Sequence, residues 1–455
     1  MGWMPLAFAE IPVGNLQGSE ATGSRVGQVR AADGGRPLCI ALLSYRSKPH
    51  CGGQGVYVRN LSRELVALGH DVEVLSGPPY PELDPGVLLT RLPSLDLYRD
   101  PDPFRTPHWR EFRSPIDVLE YALMATAAFP EPLTFSLRAW WALRGRSRRP
   151  DVVHDNQTLG TGLLLLRREG FPVVATVHHP ITVDRRHDLA AATTLAKRLS
   201  VRRWYSFLRM QGWVVRSLPA LLTVSGSSRE DIVRDFRVRP ERLTVVPVGV
   251  DTDVFRPPSA ARVPGRIVAT ASADIPMKGL VPLLEAVAKL RTERDVELVV
   301  VGKTTDGGTA HRALDRLGLQ DAVRFVSGIS EAQLVDLFGS AQVAVVPSLY
   351  EGFSLPAVEA LACRTPLVAT TAGALPEVVG PHGEAALHVP PADPEALAAA
   401  IAAILDDPVL AARLGAAGRA RVLERFTWRA VAHQTVAWYR SCLSEPAPPP
   451  EVRSC

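Results

Sequence analysis

Short apolar runs alternate with stretches of helical spacing over most of the chain. Pro37 to Ser44 (PLCIALLS) reads as a buried strand. A glycine-containing loop follows, then a periodic helix over VYVRNLSRELVALGH ended by Gly69, then a second strand, DVEVLS. DVVHDNQTLGTG and FPVVATVHHP each read as a strand that ends in polar residues at a carboxyl edge. LLTVSGSSREDIVRDF reads as a strand and a helix with a capping box from Ser227 to Glu230. After residues 258–265 the alternation resumes with RIVATAS, GLVPLLEAVAKL, VELVVVG, HRALDRLG, VRFVSG and SEAQLVDLFGSA. This pattern predicts doubly wound parallel sheets. Between 77 and 136, prolines and scattered aromatics leave little periodicity, which predicts an irregular excursion over the open face of the first half. Acceptor recognition is one use for it, and a plain surface excursion is the other.

The most informative stretch is Gln342 to Val379. Val343 to Val346 is a strand buried on both faces, Ser348 to Ser354 a polar turn, and Pro366 to Thr370 the next strand. Ser354 is placed to cap a helix with Pro356 in its first turn, running through Glu359 to about Cys363. A helix N-terminus at the carboxyl end of a parallel strand attracts anions. Glu351 and Glu359 flank it, and the backbone amides of Phe353, Ser354 and Leu355 lie between them. A carboxylate suits vicinal hydroxyls, and the amides suit phosphate. The layout fits a sugar, a diphosphate and a ribose. Taken alone, the two glutamates also fit an ordinary surface turn and helix face.

A chain of 455 residues suits two domains plus tails, and 46% hydrophobic residues provide for two cores. With 51 basic against 47 acidic residues, charge gives no reason to expect nucleic acid. Five scattered cysteines without metal spacing point to free thiols in a reducing, cytoplasmic setting. No apolar run is long enough for a transmembrane helix. Residues 1–36 and 444–455 are expected to be disordered, with a first domain over 37–257 and a second over 258–426. Two segments, Leu137 to Arg149 and Lys197 to Arg216, mix Arg with aromatics and contain no acid. They read either as helices with aromatics turned inward or as a peripheral contact with an anionic inner-membrane face, which leaves a lipid-linked acceptor open.

PSLYEGFSLPAVEA followed by PLVATTAGALPEVV closely resembles the donor-site signature of family-4 retaining glycosyltransferases. GGQGVYVRNLSRELVALGHDVEVL resembles their first strand-loop-helix-strand. The resemblance implies an α/β GT-B fold, two Rossmann-like domains facing a cleft, with a last helix over 427–443 crossing back to the first. It implies transfer of a hexosyl group from a nucleotide-diphosphate sugar to an acceptor hydroxyl with retention and without metal or other cofactor. It places Glu351 by the donor sugar, Glu359 on the ribose, and the Phe353, Ser354 and Leu355 amides on the phosphates, with Ser354 standing where the family more often has Gly. Gly52 and Gly53 would approach the phosphates across the cleft. His178 would reach the donor sugar, with His179 the alternative, and His154 sits at the family's strand-end histidine. Lys278, in PMKG, matches the lysine that neutralises the diphosphate, so Glu351, His178 and Lys278 are the expected catalytic residues. The family's Arg about five residues before that lysine is missing from ATASADIP. Asp251-Thr252-Asp253 falls in the interdomain element rather than a metal site. No carboxylate stands out as a nucleophile, so a same-face mechanism fits retention better than a covalent intermediate. A non-catalytic nucleotide-sugar-binding protein, a phosphorylase and an epimerase remain alternatives at this stage.

Overall fold

The computed structural model describes residues 35–47, 53–99, 101–271, 275–304 and 307–444. Gly52 and the terminal stretches 1–34 and 445–455 lie outside them, so the expectations placed there are not taken further. The apolar runs of the first half pair into one sheet: β1 (Cys39–Ser44), β2 (Asp71–Ser76), β3 (Leu88–Arg91), β4 (Val152–Asn156), β5 (Val173–Val177), β6 (Leu221–Thr223) and β7 (Leu243–Val245), in the order β3-β2-β1-β4-β5-β6-β7. Every pairing is parallel. Its helices are α1 (Gly53–Ala67), α2 (Pro115–Ala125), α3 (Glu131–Arg144), α4 (Gly162–Arg168), α5 (Thr182–Ala191), α6 (Leu195–Trp204), α7 (Phe207–Ser217) and α8 (Gly226–Phe236). The second half repeats the plan with β8 (Arg266–Thr270), β9 (Glu297–Val301), β10 (Val323–Val326), β11 (Val343–Val346), β12 (Leu367–Thr370) and β13 (Ala386–Val389), all parallel, in the order β10-β9-β8-β11-β12-β13. Its helices are α9 (Leu280–Leu290), α10 (Thr309–Leu317), α11 (Glu331–Ser340), α12 (Leu355–Ala362), α13 (Leu375–Val379), α14 (Pro394–Asp406), α15 (Pro408–Arg425) and α16 (Trp428–Ser444). Helix-covered parallel strands are buried on both faces, which is why β11 and β12 are apolar at every position.

Residues 77–136 are more regular than the sequence pattern predicts. They hold β3, α2 and the start of α3. Ser114 caps α2 by a reciprocal box with Asp117, with Pro115 in the first turn. Arg138 of α3 then bonds Asp117 and Glu120 of α2 at 2.6 Å each, and all three are almost fully buried. A small separate cluster of Leu95, Leu97 and Tyr98 packs with Phe129 and Trp204.

That cluster also places the second of the basic aromatic segments. Trp204 of α6 packs edge-on to Tyr98, and Arg203 bonds the backbone and hydroxyl of Thr126. Arg216 donates to the Phe236 carbonyl. Phe207 is buried and Trp140, Trp204 and Tyr205 are partly so, while Trp141 and Trp213 are exposed, as are Leu195 and Leu199 on α6 at 79% and 63%.

The two halves meet along the linker and α16. Val250 pairs with Thr427, and Trp428 packs over Gly249. Helix α16 packs on α1, and Tyr439, fully buried, reaches the His154 ring in β4. Asp251 pairs with Arg63 of α1 at 2.9 Å, so the D-x-D carboxylate is an anchor of the linker.

Candidate active site

In a doubly wound sheet the ligand crevice opens where strand order reverses. In the second domain that point lies between β8 and β11. The loop after β8 carries Lys278 and the loop after β11 carries Glu351, and the Lys278 Nζ lies 2.8 Å from Glu351 Oε1. Ser348 Oγ donates to the same oxygen at 2.8 Å. Glu351 Oε2 has no partner among the described residues. The two loops are held together by a bond from Leu349 N to the Met277 carbonyl at 2.8 Å. Gly279, at φ +65°, makes that approach possible, because a Cβ there would sit 1.9 Å from the Pro347 oxygen. Gly373 does the same on the other side, where a Cβ would lie 2.2 Å from the Glu351 carbonyl oxygen.

Helix α12 starts beside this pair. Ser354 occupies the N-cap position with φ +121° and its hydroxyl makes no cap bond. The hydroxyl is instead buried without a partner. The expected serine cap is therefore absent: the residue supplies a turn, of a shape suited to glycine, rather than a side-chain acceptor. The amides of Phe353, Ser354 and Leu355 have no acceptor among the described residues, and the Phe353 ring is anchored against Phe426. An N-terminus with unpaired amides favours an anion. The Glu359 side-chain carboxyl, just past the first turn, has no hydrogen-bond partner among the described residues. Burial, with Glu331 nearby, pushes its carboxyl up to about 7.

The first domain contributes the segment after β5. His178 Nε2 lies 2.7 Å from Asn156 Oδ1, and its ring meets Tyr57 edge-on at 4.8 Å. Burial, and secondarily His179, pushes the imidazole down to about 3, so it is neutral at ordinary pH. The His178 carbonyl lies against Gly352, which brings this segment to the loop of Glu351. His179 is half exposed and faces Asp184 at 3.6 Å. His154 is turned away from the cleft: it is fully buried, with its ring nitrogens on Tyr439 and on Thr176 at 2.7 Å. Gly53 opens α1, with open space where a Cβ would be.

Across the cleft, α8 holds the donor loop directly. Its cap is Ser225, two residues earlier than the capping box read from the sequence, because the Ser225 side chain accepts from Ser228 N. Ser225 Oγ and Ser228 Oγ both donate to the Gly352 carbonyl, at 2.6 and 3.0 Å. The Gly226 and Ser227 amides donate to the two oxygens of Glu377, at 2.7 Å each. Tyr350 bonds Asp231. Sequence reasoning missed this set, although the small polar run SGSS before a helix was a usable signal for a helix end aimed at an acid.

The arrangement therefore combines a cation and unpaired amides for a diphosphate with carboxylates for hydroxyls. Residues 51–254 match the model of Glycosyltransferase Family 4, and residues 251–421 match that of Glycosyl transferases group 1. The chain is 59% identical to an MMP alpha-(1->4)-mannosyltransferase of Mycolicibacterium hassiacum, over 90% of this chain and 99% of that protein. It is 32% identical to a glycogen synthase of Mycobacterium tuberculosis, over 88% of this chain and 94% of that one. Among solved structures, sucrose-phosphate synthase from Thermosynechococcus elongatus matches with a TM-score of 0.66 at 27% identity, covering 88% of this chain and 98% of that one. HepE of Anabaena, solved with UDP-glucose, matches with a TM-score of 0.64 at 16% identity, over 89% of this chain and 100% of that one, a likeness of fold. These relatives set aside the phosphorylase, epimerase and non-catalytic readings. The protein is a retaining hexosyltransferase with the GT-B fold, and the chain belongs to family 4 of the glycosyltransferases, within the group 1 glycosyl transferases.

Proposed function

We propose that the protein transfers a mannosyl group from a nucleoside-diphosphate mannose to the 4-hydroxyl of an acceptor sugar, forming an α-(1→4) linkage. One observation carries this reading: the 59% identity to the Mycolicibacterium mannosyltransferase, which extends over 99% of that protein. The site geometry supports the division of labour. The leaving diphosphate gains charge as the glycosidic bond breaks, and Lys278 with the α12 amides would stabilise it. Glu351 Oε2 and His178 would orient the sugar, and Glu359 would take the ribose hydroxyls. Glu351 Oε1 is engaged by Lys278 and Ser348, which argues for an orienting role over nucleophilic attack. The acceptor would then be deprotonated on the same face by the departing phosphate, with no metal needed.

Incubation with GDP-mannose, UDP-glucose and other nucleotide sugars, each with oligosaccharide acceptors, tests the reading. Mannosyl transfer giving an α anomer on oxygen 4, undiminished by a chelator, supports it. Transfer of another sugar, to another position, or with a β anomer sinks it.

A contact with an anionic membrane has one observation in its favour: Leu195 and Leu199 are exposed on α6, beside exposed Lys197, Arg198 and Arg202. Apolar residues ringed by cations suit an anionic bilayer surface. Binding to anionic vesicles at low salt, lost in the Leu195→Ser, Leu199→Ser double variant, is the outcome this reading requires; no binding ends it.

A further inference from the structure

The loop after β4 is built in an uncommon way. Gln157 and Leu159, neither of them glycine, have φ of +57° and +53°. Non-glycine residues held in this region are strained and persist where the surroundings enforce them. Here the enforcement is visible. Asp155 is fully buried and its Oδ2 accepts the Leu159 amide at 2.8 Å. Gln157 Oε1 accepts the His178 amide at 2.6 Å, and Gln157 Nε2 donates to the His179 carbonyl at 2.8 Å. A strained loop thus grips the backbone on either side of one histidine.

Asn156 completes the grip on the ring itself. Its Nδ2 faces the Gln54 carbonyl at 3.4 Å, and its Oδ1 faces His178 Nε2 at 2.7 Å. Turning the amide over would set two acceptor oxygens against each other at Gln54, so the orientation is assigned from that contact. An oxygen at hydrogen-bond distance from Nε2 requires the proton on Nε2. A neutral imidazole carries one ring proton, so Nδ1 is then the acceptor. Nδ1 has no partner among the described residues, and the burial that keeps the ring neutral also keeps that lone pair unprotonated.

We propose that Asn156 is a positioning residue that fixes His178 as the Nε2–H tautomer, so that Nδ1 accepts a hydrogen bond from a hydroxyl of the transferred sugar. The second half rests on the donor reading above, in which His178 meets the sugar; the first half does not. The sugar hydroxyl is held as a donor, which complements Glu351, itself an acceptor. A site with two acceptors fixes the directions of the hydroxyl protons, and so discriminates by hydroxyl placement rather than by shape alone.

Nitrogen NMR on the histidine-labelled full-length chain, with His178 assigned through a His178→Gln variant, tests this without a folding risk in the wild type. The expected spectrum shows a protonated Nε2 and an unprotonated Nδ1 at neutral pH. Adding a nucleotide sugar that the enzyme turns over is expected to shift Nδ1, and adding the nucleoside diphosphate alone is not. Asn156→Leu is expected to give averaged signals for the two nitrogens and a kcat lower by about tenfold, the worth of one hydrogen bond, with the donor KM little changed. A wild-type His178 protonated on Nδ1, or an even mixture of tautomers, overturns the role of Asn156. An Nδ1 signal that ignores a sugar donor being turned over overturns the hydroxyl contact. The expected tautomer in a protein that uses no mannosyl donor would support the positioning role and sink the donor reading instead.

Discussion

Lys278 and Glu351 form an ion pair at 2.8 Å although they lie 73 residues apart, on the two loops that bound the strand-order reversal of the second domain. On the function proposed above, the cation that would meet the diphosphate and the carboxylate that would meet the sugar are thus already paired with each other. Glu351→Gln keeps the shape and the Ser348 contact but removes the charge. It is expected to lower kcat by about 100- to 1000-fold, the usual cost of deleting one preorganised electrostatic group. Lys278→Met is expected to do the same. The double variant should lose little more than either single one, because residues acting as a unit are not additive. Steady-state kinetics on the four proteins, with circular dichroism to check folding, decides it. Additive losses would mean that the pair does not act together.

Glu359 makes a pH prediction whose sign is fixed. Its carboxyl is raised in the folded protein to about 7, mainly by burial, against about 4.3 in an unfolded chain. Between those values the folded state binds the extra proton, so this group's contribution to stability is fully present below about pH 4, falls as pH rises, and levels off above about 7. Glu359→Gln removes that dependence. The melting temperature of the variant relative to the wild type should climb across this window and then stay flat. A diol held by the ionised carboxylate should also make nucleotide-sugar affinity strengthen towards pH 7 in the wild type only. A difference between the two proteins that is constant from pH 4 to 8 would remove the assignment.

How much of this was legible depended on sequence distance. The β11-turn-α12-β12 unit lies within one contiguous stretch, so its strands, helix and two glutamates could be read directly. The Lys278–Glu351 contact could not, because it depends on Gly279 and Gly373 letting three loops touch, and close approach leaves no periodic mark. Helix α2 and the first turn of α3 were hidden by prolines, although Ser114-Pro115-Ile116-Asp117 was a start signal in plain view. His154 and His178 look alike in sequence, each at a strand end. Their ring partners separate them: His154 has both nitrogens taken, by Thr176 and by Tyr439 from a helix 285 residues away, whereas His178 has only Nε2 engaged among the described residues.

Ser354 yields a stability prediction. A non-glycine residue at φ +121° is strained, and its hydroxyl is buried without a partner. Strain of this kind costs about 1–3 kcal/mol, and glycine's extra chain entropy returns about 0.5–1 kcal/mol of any gain. Ser354→Gly should therefore stabilise the protein by about 1 kcal/mol while leaving the three amides in place. Chemical denaturation followed by a fluorescence midpoint measures it. A destabilised variant would mean that the serine hydroxyl finds a partner in solution, most simply a bound water or the donor phosphate.

Glu377 and α8 make the last prediction. Two amides of the α8 first turn hold both carboxylate oxygens, and two serines of the same turn hold the Gly352 carbonyl next to Glu351. The first domain therefore grips the loop after β11 in the second, and an opening of the cleft would break that grip. Bonds from backbone amides to a charged group are worth about 1.5–3 kcal/mol each at most, and an exposed pair less. Glu377→Ala is expected to shift the population towards an open cleft and to leave each domain folded. The radius of gyration by small-angle scattering should rise, and amide exchange should quicken at Gly226 and Ser227 and not in β4 or β11. Since Lys278 and Glu351 belong to one domain, their pairing survives opening, so the loss in activity should appear mainly as weaker substrate capture. A KM raised by about tenfold with kcat nearly kept, matching the loss of about 1.4 kcal/mol, separates this from damage to the Lys278–Glu351 pair. An unchanged radius of gyration together with an unchanged KM would mean that the closed cleft is held elsewhere, and the α16 and linker contacts would be the next to break.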